Sequence, residues 1–260
     1  MFVSLVLLAL GAVGSGSAHF IVPNDDQDMS GLTVNSIPAA KRVEYMQKAN
    51  EALFRQSGPC PFAAFGTIIV NHTSDEVVCE GANFRTGDPT IHGEISAINA
   101  CTAKFAEQGM TPTQIYAAWG ELSIYTNAES CPMVNASMRE CNSMGGFQRQ
   151  VYPLKLLCPS TTNIDLSEYV YGTTIQHNYN VGWGVMTLSS YDVFQQSRQL
   201  PGYQTSMIGQ ILTNETDPLF SWQYNASAPC PNDCFRVPSA TRGGTTCSND
   251  TVSRRDYEAL

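Results

Sequence analysis

Between Ala39 and Gln56 the apolar residues Val43, Met46, Ala49 and Leu53 recur at helical spacing with charges between them. That pattern predicts an amphipathic helix with one face on a core, ended by Gly58-Pro59. Phe62 to Val70 is a continuous apolar run with β-branched residues, which suits a buried strand. Asn71 to Asp75 carries turn residues, and Glu76 to Cys79 returns as a second strand, so the two form a hairpin. After a loop at Gly81 to Pro89, Ile95, Ile98 and Phe105 mark a helix from His92 to about Gln108, capped by Gly109. Leu122 to Thr126 reads as a short strand that leads into a helix at Pro132. The order helix, hairpin, helix, strand, helix predicts a sheet covered by helices, with reactive groups at the helix N-termini that follow strands.

The pattern then breaks. Residues 139–167 hold Gly145-Gly146, Pro153, Pro159 and a Ser-Thr-Thr-Asn run, which permit little regular structure. Order resumes with a strand at Tyr169 to Thr173 and a helix around Tyr191 to Arg198. From Leu200 onward the chain reads as a polar tail with three cysteines and three Asn-x-Ser/Thr sequons, a disulfide-pinned wrap over the core. The expected division is a leader at 1–18, an irregular segment at 19–39, one domain at 40–199 with an insertion at 139–167, and a Cys-rich extension at 200–260.

Composition narrows the function. The 260 residues carry a net charge of −9, with 14 basic side chains, which argues against a nucleic-acid partner. The apolar run Phe2 to Leu10 is too short to span a bilayer; with the Gly/Ser/Ala stretch ending at Ala18 it predicts a secretory signal peptide. Nine cysteines and sequons at Asn71, Asn135, Asn214, Asn225 and Asn249 point the same way, to an extracellular glycoprotein without membrane attachment. If Cys131 is a metal thiolate, the other eight cysteines pair evenly, with a connectivity that sequence does not give. A disulfide between Cys131 and Cys141 is the rival arrangement.

Two short stretches carry chemistry. Asp88-Pro89-Thr90-Ile91-His92-Gly93-Glu94 places a His two residues before a Glu, and Glu129-Ser130-Cys131-Pro132-Met133 follows thirty-odd residues later. Together with Gly81-Ala82-Asn83, Pro61-Phe62-Ala63 and Tyr171-Gly172-Thr173, they resemble the two motifs of the cytidine deaminase-like superfamily. The Asp-Pro-Thr lead-in is most similar to the guanine deaminase and tRNA-adenosine deaminase branch. That resemblance implies an α/β fold, a three-layer α/β/α sandwich around a mixed sheet. It implies a Zn²⁺ cofactor held by His92 and Cys131, with Glu94 as the catalytic proton shuttle and Asn83 and Phe62 in contact with substrate. The substrate would be a small-molecule nucleobase or nucleoside, a guanine-like purine before cytosine, and the assembly a homodimer or a tetramer.

The physics of those roles stands apart from the family. Hydrolytic removal of an exocyclic amine needs a hydroxide at neutral pH, which bound Zn²⁺ supplies, and an acid/base to move protons. A carboxylate two residues after a ligand can sit beside the metal without binding it. The second motif departs from its family at Val134, which stands where a second thiolate is expected, and at Ser130, which stands for a Pro. Cys141 lies roughly 10 Å further along a continuing helix and cannot substitute unless that helix breaks. The departure leaves three readings: a deaminase with an unusual third ligand, an impaired binding protein on the same fold, or a retained intron or wrong exon boundary across 134–167. By themselves, Asn83 would be a turn residue, Glu94 a first-turn carboxylate, His72 and His177 loop residues, and Trp183 and Trp222 packing.

Overall fold

The computed structural model describes residues 20–21, 33–83, 87–139, 166–198, 205–239 and 244–249. The proposed signal peptide and residues 140–165 of the insertion, with Cys141 and Cys158, lie outside the described residues.

The central sheet has six strands: β1 (Phe20–Ile21), β4 (Gly66–Asn71), β5 (Glu76–Ala82), β6 (Leu122–Ala128), β7 (Glu168–Thr173) and β8 (Ser206–Ile208). Their spatial order is β1-β8-β7-β6-β4-β5. Strand β4 runs antiparallel to β5 and β6, whereas β6, β7, β8 and β1 are mutually parallel. A short ribbon of β2 (Thr33–Val34) and β3 (Ile37–Pro38) lies apart from it.

Strand periodicity explains why both faces are covered. Ile68, Val70, Tyr125, Val170 and Ile208 point to one side, where they pack with Tyr45, Met46 and Ala49 of α1 (Ala39–Ser57). Their neighbours Ile69, Ile124, Tyr169, Tyr171 and Met207 point to the other. There they meet Ala97, Cys101 and Phe105 of α2 (Gly93–Glu107) and Ile115 and Trp119 of α3 (Pro112–Trp119). Val134 and Met138 of α4 (Pro132–Arg139) fill the same layer, as does Phe194 of α6 (Ser190–Ser197), which follows α5 (Ile175–Asn180). The result is the expected three-layer α/β/α sandwich around a mixed sheet.

Several elements differ from the sequence reading. The strand starts at Gly66; Phe62 and Phe65 sit before it and join the aromatic cluster of Trp183, Phe220 and Tyr224. Helix α3 was not anticipated, although Thr111 and Gln114 form a capping box around Pro112. Residues read as tail contribute β8 to the main sheet, and Phe220 and Trp222 are buried. The remaining elements are α7 (Thr213–Thr216), α8 (Pro218–Ser221) and the ribbon β9 (Phe235–Pro238) with β10 (Thr245–Ser248). His72 lies in the β4–β5 turn, as expected, and packs against Tyr45 and Tyr125 with Nε2 3.1 Å from the Tyr125 hydroxyl, whereas His177 lies within α5 and not in a loop.

Disulfides join Cys60 to Cys234, Cys79 to Cys101 and Cys230 to Cys247, which leaves Cys131 as the free thiol among the described residues. One buried ion pair ties α1 to β7. Arg42 and Glu168, 1% and 0% exposed, meet through Nε–Oε2 at 3.2 Å and Nη2–Oε1 at 2.5 Å. The remaining Arg42 donors reach the carbonyls of Ile37 and Val34, both at 2.8 Å. Removing one partner strands the other charge in the core. Glu168→Ala is therefore expected to cost about 3–5 kcal/mol in unfolding free energy, measured by urea denaturation.

Candidate active site

Strand β5 ends at Ala82, and Asn83 turns the chain by donating its backbone N–H to the Phe65 carbonyl at 3.1 Å. The Asn83 side-chain oxygen then accepts the Gly93 N–H at 2.5 Å, which satisfies one of the open donors at the start of α2. His92 is the N-cap residue in an extended conformation, and its side chain makes no cap hydrogen bond. The imidazole is thus available for another partner. Glu94 sits in the first helical turn, where the helix dipole favours an anion.

Two strands away, on the far side of β4, β6 delivers Glu129, Ser130 and Cys131 to the start of α4. The Glu129 carboxylate accepts the backbone N–H of Ile175 at 2.8 Å and of Ser190 at 2.5 Å. Burial pushes its pKa up, and those two N–H groups oppose the shift. Glu129 holds α5 and α6 against the motif and is a structural group.

The two helix starts meet. His92 Nδ1 lies 3.5 Å from Cys131 Sγ, and the Ser130 hydroxyl donates to Glu94 Oε1 at 2.6 Å. Glu94 is 3% exposed, and burial raises its pKa against the pull of Ser130, its own backbone N–H and His92. The contact with Cys131 raises the pKa of His92 while burial lowers it. His92, Glu94 and Cys131 therefore converge, and Asn83 touches the site's framework through Gly93. Phe62 packs with Trp183, Trp222 and Tyr224, at ring-centroid distances of 5.9, 5.8 and 6.0 Å.

Sequence reasoning left Ser130 without a role. Its N–H donates to the Tyr169 hydroxyl at 2.7 Å, and its carbonyl accepts from Asn135 Nδ2 at 2.9 Å. Ser190 joins the network through Tyr169 and Asn135. The only signal in the chain was a Ser at a position where the motif carries Pro. A cavity of about 930 Å³ lies elsewhere, between the end of α1 and the Pro229–Asp233 turn, and holds none of the motif residues.

The donor pair fits zinc at two corners. With Zn–N near 2.0–2.1 Å and Zn–S near 2.3 Å in a tetrahedron, the N and S atoms stand about 3.5 Å apart. His92 and Cys131 have that separation. The third corner is different, because Val134 is 0% exposed and packed in the apolar layer under the sheet. Among the described residues no three His, Cys, Asp or Glu side chains gather around one metal position.

Residues 40–145 match the family described as the cytidine and deoxycytidylate deaminase zinc-binding region. Over that region the chain is similar to the cytidine deaminase-like superfamily. The family binds zinc as a rule, and both motif stretches fall inside the matched region. The fold is also similar to a guanine deaminase from Nitrosomonas europaea, at 12% identity over 78% of this chain and 98% of that one, with a TM-score of 0.44. A tRNA:A34 deaminase is similar at 16% identity, with 68% and 99% covered and a TM-score of 0.42. A structure solved in complex with 2,6-diaminopurine is similar at 13% identity, with 72% and 83% covered and a TM-score of 0.46. A comparison with curated proteins finds no match.

Val134→Cys is expected to place a third donor beside Cys131 and to tighten zinc binding by at least about tenfold. Competition against a chromophoric chelator measures that change directly, without reference to turnover.

Proposed function

We propose that the protein is a zinc-dependent hydrolase that removes the exocyclic amine from a free nucleobase or nucleoside. The observation that carries this reading is the meeting of His92 Nδ1, Cys131 Sγ and the Glu94 carboxylate at two adjoining helix N-termini. His92 and Cys131 would hold the zinc ion, which when bound lowers the pKa of water to about 7 and so supplies hydroxide. Glu94 would accept one proton from the attacking water and pass it to the ring nitrogen, then carry the second, from the newly added hydroxyl, to the departing amine. Water and the amidine carbon thus become a carbonyl and ammonia. Asn83 keeps its side-chain NH₂ for a substrate acceptor while its oxygen caps α2.

A guanine-like purine is favoured over cytosine, on the resemblance carried by Asp88-Pro89-Thr90. In that stretch Asp88 Oδ1 accepts from the N–H and hydroxyl of Thr90 at 2.8 and 2.7 Å, so the lead-in to His92 is a self-closed turn. The net charge of −9 supports a small neutral ligand over a polyanion. Assembly as a homodimer belongs to this reading by resemblance alone. A second reading is favoured by Val134: a secreted binding protein on the deaminase fold, with the metal site one ligand short.

Zinc analysis of the purified protein with an ammonia-release panel on guanine, cytosine, adenosine and cytidine separates the two. The enzyme reading expects bound zinc and turnover of at least one amine; zinc below about 0.1 equivalent with no turnover defeats it. Glu94→Ala is expected to lower kcat by about 10²- to 10⁴-fold while zinc stays bound. Activity that survives the change would remove Glu94 from the mechanism.

Localisation outside the cell is the accompanying proposal, supported by the three disulfides and the sequons. Asn214 and Asn225 are exposed, whereas Asn135 is 0% exposed with its Nδ2 bonded to Ser130 and Ser190. Expressed through a eukaryotic secretory pathway, the protein is expected to carry glycans on Asn214 and Asn225 and none on Asn135. Peptide mapping after enzymatic deglycosylation in heavy-oxygen water reads each site, and a glycan on Asn135 would contradict the assignment.

A further inference from the structure

We infer that Ser130 is a positioning residue for Glu94, fixing one carboxylate oxygen so that the other is presented to the substrate. The inference rests on the function proposed above and adds to it a group that the motif, with Pro in this place, does not supply. A proline has no hydroxyl, so a chain with the usual motif residue could not make this contact.

The geometry carries the assignment. Ser130 is 1% exposed and Glu94 3% exposed, and their contact spans 2.6 Å in an interior where an unpaired carboxylate oxygen is costly. A serine hydroxyl has one proton to donate. It is spent on Oε1, which fixes the otherwise broad terminal torsion of the glutamate and leaves Oε2 for proton transfer. Ser130 is itself held from three directions. Its N–H reaches the Tyr169 hydroxyl on β7, its carbonyl accepts from Asn135 on α4, and the Ser190 hydroxyl on α6 lies 3.4 Å from that same carbonyl. Tyr169 is stacked on Phe194 with ring centroids 5.2 Å apart, so the anchor is rigid. The second layer of helices thereby sets the orientation of a side chain on α2.

The test compares wild type, Ser130→Ala and Ser130→Thr for kcat, KM, zinc content and thermal midpoint, with the Glu94 carboxyl carbon observed by NMR in glutamate-labelled protein. That resonance is assigned by its loss in Glu94→Gln and needs no turnover. The expected result for Ser130→Ala is a fall in kcat of about tenfold to thirtyfold with KM within about twofold, unchanged zinc, and a displaced Glu94 resonance. Ser130→Thr keeps the hydroxyl and recovers most of kcat. A Ser130→Ala variant with unchanged kcat, or with an unmoved Glu94 resonance, overturns the inference. So does a kcat loss that tracks the thermal midpoint and is not restored by threonine. A wild-type chain that turns over none of the panel fails in its own arm; that outcome sinks the proposed reaction and the role of Ser130 in it.

Discussion

The site depends on how closely α2 approaches the end of β5, and Gly81 sets that approach. A Cβ at Gly81 would overlap the Gly93 carbonyl oxygen and the Ala97 nitrogen, so any side chain there would push the helix off the sheet. The approach lets Asn83 reach the Gly93 N–H, and it fixes the height at which His92 and Glu94 leave the helix start. Further along, the Cys79–Cys101 disulfide joins the same strand to the same helix, closing a loop of 22 residues in sequence. Such a crosslink removes about 3 kcal/mol of freedom from the unfolded chain in the loop-entropy account. The helix that presents the site is therefore held at both ends of its contact with the strand.

The other half of the site is held differently, by buried polar atoms. Glu129 bridges α5 and α6, Asn135 and Ser190 share hydrogen bonds, and Tyr169 accepts from the backbone of Ser130. Each of these contacts lies in an environment where a missing partner costs more than a made bond returns. The network therefore resists piecemeal change, which is why Cys131 keeps its place beside His92 even where the motif around it has altered.

The sequence made the fold's centre legible because its signals were local. Periodicity placed α1 and β6, and His-x-Glu with Cys-Pro-Met placed the reactive groups at helix starts. What escaped depended on partners distant in the chain. Ser206–Ile208 is three residues long and becomes a strand only because β7 offers a parallel edge. His72 is half-buried by Tyr45 and Tyr125, neither of them its neighbour in sequence. The Phe62–Phe65 run is apolar because it faces Trp183, Trp222 and Phe220, and its hydrophobicity was therefore misread as strand. Ser130 was visible only as a substitution, since its hydroxyl acquires meaning once Glu94 lies beside it.

Val134 shows why fold and chemistry can part company in this architecture. A thiolate at that position would contribute a metal bond, whereas a valine contributes burial among Cys131, Met138 and the sheet residues of the same layer. The valine is fully buried in that apolar layer, so its side chain contributes to packing what it withholds from the metal. The Glu94 carboxylate, the His92 imidazole and the Cys131 thiol remain in register because they are fixed by Gly81, Asn83 and the Glu129 network, none of which passes through position 134. The arrangement of these groups is thus kept independently of position 134, and the two readings proposed for the site differ at one side chain.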